Sequence, residues 1–183
     1  MPRLVVFGRQ QSGVRYLCID LGDKRTGLAA GDAQTGVVAP VGVIETPANV
    51  QGGEALLRDV ERAVREHLGD DPARSPGVLV VGLPLNMDGT EGPRSKVVRA
   101  FATRLAERTG REVRLHDERL STAEADWSMA RSGLTRGQKK ARRDALAAAA
   151  ILRDFLAQER AAAGAALPDA APTDDLDDPA PPG

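Results

Sequence analysis

Apolar and polar positions along this chain fall into two recurring patterns. Val14 to Asp20 is a near-continuous apolar run closed by an acid, as in a central strand buried on both faces. Gly22 and Gly27 bracket a tight turn into a second strand, Thr26 to Ala30, and a third follows from Val37 to Thr46. Pro40 cannot donate to a ladder, so this third strand belongs at a sheet edge. The spacing then changes. Leu56, Leu57, Val60, Val64 and Leu68 share one side of a helix over Glu54 to Leu68, ended by Gly69 and Pro72. Gly77 to Leu83 is a further buried strand, and Pro93 opens a helix that runs to Arg108. Glu112 to Asp117 is the fifth strand. Ser121 and Glu124 form a capping box for another helix, and Gln138 to Arg160 is the last long one, rich in alanine. The order β-β-β-α-β-α-β-α-α predicts an α/β fold: two hairpins, then right-handed crossovers into a mixed five-stranded sheet with flanking helices.

Composition narrows the picture. A chain of 183 residues with 42% hydrophobic content suits one domain, and its 3% aromatic content makes the core aliphatic. Residues 1–13 read as a loose leader, 14–160 as the folded domain, and 161–183 as a disordered tail of Ala, Pro, Asp and Gly. After Arg160 there are five aspartates and no lysine or arginine, so the rest of a chain of net charge −1 is mildly basic. That permits a nucleic-acid partner without requiring one. No stretch is long and apolar enough for a membrane span, and no signal-peptide pattern opens the chain, so a cytoplasmic protein is expected. Cys18, the single cysteine, reads as a small buried hydrophobe.

Three acids stand where a purely structural role is awkward. Asp20 closes a central strand, at the end where α/β sheets place ligands. Glu118, with Asp117 beside it, follows the fifth strand. Asp144 falls on one helical stripe with Ala148, Ile151 and Phe155, on the packing side. Each has a plain alternative: a turn cap for Asp20, a polar turn for Asp117-Glu118, and a charge paired with Lys139, Lys140, Arg142 or Arg143 for Asp144. Brought together, the three would repel one another unless a cation neutralised them, and their hard oxygens would favour Mg²⁺ or Mn²⁺. Lys24, Arg25 and Arg119 could hold phosphate, and Asn86 and Thr90 in the loop after the fourth strand could touch it. His67 and His116 lack partners at zinc-ligand spacing, and no Ser-His-Asp arrangement, Walker loop or G-x-G-x-x-G is present.

Ile19-Asp20-Leu21-Gly22-x-Lys24-Arg25-Thr26-Gly27, Gly82-Leu83-Pro84-Leu85-Asn86-Met87-Asp88-Gly89-Thr90, Asp117-Glu118-Arg119-Leu120-Ser121-Thr122 and Asp144-x-x-Ala147-Ala148-x-x-Ile151-Leu152 resemble, in order, the motifs of the YqgF (RuvX) family. The resemblance spans about Tyr16 to Phe155. It implies an RNase H-like fold related to Holliday-junction resolvases and a nuclease that matures the 5′ end of pre-16S rRNA. It also implies catalytic and metal-binding roles for Asp20, Glu118 and Asp144. Related resolvases carry an acid where this chain has Gly82-Leu83-Pro84, so Asp117 stays open as the alternative second acid. The implied partner is structured RNA or branched DNA, with the protein a monomer or homodimer. A nucleic-acid-binding factor without catalysis is the rival reading. A kinase-like use of the Asp20 to Gly27 turn suits so short a chain less well.

Overall fold

A computed structural model describes residues 14–121 and 136–165. Five strands, β1 (Arg15–Leu21), β2 (Thr26–Asp32), β3 (Val38–Ile44), β4 (Gly77–Leu83) and β5 (Val113–Asp117), form one sheet in the order β3-β2-β1-β4-β5. β2 runs antiparallel to both β1 and β3, while β4 is parallel to β1 and β5 to β4. This is the mixed five-stranded sheet expected. The edge position of β3 answers the Pro40 argument: Pro40 lies opposite Ala29, at a break in register between Leu28 and Ala29.

Helices α1 (Glu54–Leu68) and α2 (Pro93–Thr109) cover one face of the sheet, and α3 (Arg136–Ala165) covers the other. Strand alternation sorts the side chains. Leu17, Ile19 and Leu21 of β1 and Leu79, Val81 and Leu83 of β4 point to α1 and α2, with Leu56, Val60, Phe101 and Leu105. Tyr16 and Cys18 point to α3, with Val78, Val80, Ile151, Leu152 and Phe155. Asp20 continues the Tyr16–Cys18 series and so faces α3 rather than solvent.

The boundaries differ from expectation in places with simple causes. β1 reaches Leu21, so Asp20 is the penultimate residue of its strand. α3 starts two residues before Gln138 and continues to Ala165, five beyond Arg160. The alanines at 161–163 are exposed, so the extension rests on helix propensity rather than packing. Glu118–Ser121 forms a 3₁₀ turn directly after β5. The capping-box helix expected from Ser121 onward, the leader, and the tail past Ala165 lie outside the described residues.

Two glycines set how closely α3 and the β5 turn approach Asp20. Gly27 is its cross-strand partner on β2. Gly82 lies on β4 one step past the last parallel pair, Ile19–Val81. A Cβ on Gly27 would overlap the carbonyl oxygen of Asp144 and stand 2.6 Å from its carbonyl carbon. A Cβ on Gly82 would meet Ile151 Cδ1 at 2.9 Å and Glu118 Oε2 at 3.6 Å. The missing side chains therefore let α3 bring Asp144, and the turn bring Glu118, onto either side of Asp20. Buried Ala145, Ala148 and Ala149 extend this close seating along α3.

Gly27→Ala is expected to lower unfolding stability by about 1–3 kcal/mol, because backbone cannot move aside as a flexible side chain can. Urea denaturation measures it. An unchanged midpoint would mean that α3 is not seated on β2 at this point.

Candidate active site

The acids meet above the carboxyl end of β1. Asp20 is largely buried, and its carboxyl is pushed up to about 6, first by burial, then by the charges of Glu118 and Asp144, against a smaller opposing pull from Arg94. Burial also raises Glu118; Arg94 opposes the rise and Asp117 adds to it. The electrostatics thus couple Asp20 to both other acids. A cleft of about 300 Å³ opens here, lined by Asp20, Gly22, Asp23, Lys24, Arg25, Lys140 and Asp144.

The acids differ in surroundings. Ala148, Ile151 and Phe155, the rest of the Asp144 stripe, are buried as expected, while the Asp144 side chain keeps 27% exposure at the cleft. Its Oδ2 lies 3.5 Å from Arg25 Nε. Arg25 also reaches Glu45, Nη1 to Oε1 3.7 Å. Arg25 thus lines the cleft while facing two protein carboxylates. Lys24 is exposed on the cleft wall.

The open choice between Asp117 and Glu118 narrows. Asp117 accepts hydrogen bonds on both oxygens from Arg119, the shortest at 2.6 Å, and Arg119 holds its carboxyl below the usual range. Glu118 leans over Gly82 toward Asp20. Arg119 also donates to the backbone carbonyls of Asn86 and Met87, at 2.8 and 3.3 Å. It ties the loop after β4 to the turn carrying Glu118 and is not a free phosphate grip. Asn86 likewise serves its own loop: its backbone N–H donates to Thr90 O and its side-chain amide to Thr90 Oγ1, each at 2.9 Å. Asn86 and Arg119, candidate substrate contacts, both make hydrogen bonds within the protein here.

Arg94 was overlooked. At the start of α2 it donates to Asp23 Oδ1 at 2.7 Å and to Leu21 O at 2.8 Å, and it is the cation that tempers Asp20 and Glu118. Its only sequence signal is a position right after Pro93 at a helix start, where the backbone already carries positive potential.

The donor set suits a hard divalent cation: carboxylate oxygens, among them those of Asp20, whose carboxyl is raised to about 6 by burial and then by the charges of Glu118 and Asp144. No ready-made cage exists, however. Among the described residues no three acidic, histidine or cysteine side chains converge closely enough to hold one ion. The expected three-acid coordination sphere is thus not preformed, and Asp144 is turned to Arg25 instead.

The RuvX family model, described as Holliday junction resolvase, matches residues 14–158. A relative from Anaeromyxobacter sp. (strain Fw109-5), named "Putative pre-16S rRNA nuclease", is 41% identical over 143 residues, covering 78% of this chain and 96% of its own. One from Escherichia coli (strain K12 / DH10B) with the same name is 39% identical over 142 residues, covering 78% and 95%. Among solved structures, T. thermophilus RuvC in complex with Holliday junction substrate overlaps 80% of this chain and 96% of that one, with 12% identity and a TM-score of 0.49.

The raised Asp20 carboxyl has a consequence for stability. The folded chain keeps a proton that the unfolded chain releases near pH 3.8, so metal-free stability falls as pH climbs from there to about 6. The expected loss is about 1–3 kcal/mol, and Asp20→Asn should flatten it. Carboxylates held low, such as Asp32, Glu54 and Asp117, act with the opposite sign and lower stability only in stronger acid. Denaturation in EDTA from pH 4 to 7.5 measures both curves. Parallel curves for wild type and Asp20→Asn would show that Asp20 has an ordinary pKa.

Proposed function

Because this chain belongs to the RuvX family, we propose that it is a divalent-metal-dependent endonuclease that cleaves structured RNA in the cytoplasm, processing the 5′ end of pre-16S rRNA. One observation carries the reading: Asp20 sits between Gly27 and Gly82 with Asp144 and Glu118 brought over them, and burial together with these two charges pushes its carboxyl to about 6. Such crowding gains nothing for a merely structural site and suits one that awaits cations.

The reaction is hydrolysis of a phosphodiester. A water oxygen bonds to phosphorus, the bond to the 3′ oxygen breaks, and the water's proton leaves while the 3′ oxygen takes one up. Mg²⁺ or Mn²⁺, held by Asp20 and Glu118 with Asp144 as a further oxygen donor, would supply Lewis-acid polarisation and a more acidic water. Lys24 and Lys140 place positive charge on the cleft walls, where a phosphate must lie to reach Asp20. Asp20, raised by burial and its acidic neighbours, would give up its proton as a cation binds. Arg94 holds the β1–β2 turn through Leu21 and Asp23, and Arg119 fixes the segment that bears Glu118. Both are positioning residues.

Branched DNA is the second reading, favoured by the family model's description as a Holliday junction resolvase. Precursor rRNA and a four-way DNA junction, incubated side by side with Mn²⁺ and with EDTA, separate the two. The proposal expects metal-dependent cleavage of the precursor. Asp20→Asn should reduce it by about 100-fold or more while affinity measured in EDTA stays within about twofold. Near-wild-type cleavage by Asp20→Asn would remove the acid from catalysis. Junction cleavage with the precursor untouched would transfer the substrate to DNA.

A further inference from the structure

A second and larger hollow, of about 820 Å³, adjoins the acid cleft across the β1–β2 turn. The two share Asp23, Lys24 and Arg25 on their common wall. Pro47 and Ala48, from the segment after β3, and Val97, on α2, give this hollow an apolar side, and Asn49 stands exposed at its rim. We infer that it receives the base of an unpaired nucleotide next to the scissile phosphate, so that the strand entering the site is locally single-stranded.

This rests on the nuclease reading and names the form of substrate it takes. Val97 is 58% exposed, whereas the apolar residues Val98, Phe101 and Leu105 of the same helix are buried. Its exposure therefore does not serve the core. The hollow's two carboxylates are already matched by arginines, Asp23 by Arg94 at 2.7 Å and Glu45 by Arg25 at 3.7 Å. Lys24 makes no ion pair among the described residues and stands on the wall between hollow and cleft. A chain with a phosphate at Asp20 would thus pass a cation and then meet an apolar recess. That sequence of surfaces matches a nucleotide: charged backbone first, then a base with apolar faces and a polar edge that the Asn49 amide can pair. The wall is firm as well, since Ala48 N–H donates to Asp23 O at 3.0 Å and Arg94 braces the same turn.

A base inside a duplex cannot reach the recess unless its stack is opened, and that cost is least where the strand is already unpaired. Discrimination between single and double strands follows without any base-specific contact.

The test uses the full chain in EDTA, so that binding is read without cleavage. Probes are one RNA carrying 2-aminopurine at successive positions, as a single strand and as a perfect duplex. Wild type is expected to bind the single strand about tenfold or more tightly and to brighten 2-aminopurine at one position as its base leaves the stack. Val97→Gln puts an uncharged polar chain in the recess and leaves Arg94 with Asp23. Asn49→Asp puts an anion at the rim. Each should weaken single-strand binding about five- to tenfold and abolish the brightening, with duplex affinity and Tm unchanged. Equal affinity for both RNAs, or variants that bind and brighten as wild type does, would overturn the inference and leave the nuclease reading standing. Wild type that binds neither RNA would overturn both.

Discussion

Carboxylates resist being gathered in a partly buried cleft, and the arrangement around Asp20 is shaped by that resistance. Burial and two neighbouring acids raise its carboxyl to about 6. The nearby arginines are divided among fixed tasks and do not cancel the charge at Asp20. Arg25 takes Asp144 and Glu45, Arg119 takes Asp117, and Arg94 holds Asp23 while tempering Asp20 from a distance. What remains at the cleft is Asp20, its carboxyl raised by burial and by its acidic neighbours, with Lys24 and Lys140 on the walls. Such a site favours small divalent cations and the phosphates they accompany.

The same need explains the small residues around it. Gly27 and Gly82 flank Asp20 on the neighbouring strands, and alanines line the face of α3 that meets the sheet. Large side chains at these points would lift the helix and part the acids. The opposite face, where α1 and α2 pack, carries leucine, valine and phenylalanine and is an ordinary aliphatic core. Both faces bury apolar surface, but close approach is what the α3 face adds, and the candidate chemistry lies at the end of that face. The larger hollow beyond the β1–β2 turn then gives the cleft a direction, with charge on one side and apolar surface on the other.

Much of this was legible in the chain. The apolar run put Asp20 at the carboxyl end of a central strand, Pro40 marked an edge strand, and helical spacing set Asp144 in line with Ala148, Ile151 and Phe155. These are local periodicities that survive without tertiary information. Pairings between distant residues were not legible. Arg94 meets Asp23 across 71 positions and Arg119 meets Asn86 across 33, so which cation serves which acceptor follows from the folded sheet rather than from local spacing. The hydrogen bonds and ion pairs that Asn86, Arg119 and Arg25 make within the protein were accordingly not legible. Gly27 and Gly82 read as turn and strand-end residues because the atoms that require their smallness belong to α3 and to the β5 turn, far along the chain.

Burial and neighbouring acids keep Asp20 partly protonated near pH 6, so a cation that binds there displaces a proton. Calorimetric titration of Mn²⁺ into metal-free protein at pH 6, repeated in buffers of different ionisation enthalpy, counts the protons released per ion bound. With a carboxyl near 6, wild type should release roughly half a proton from Asp20, less at pH 7.5, and Asp20→Asn should lose that component. Mn²⁺ binding with no proton release at pH 6, or with the same release from Asp20→Asn, would contradict the account.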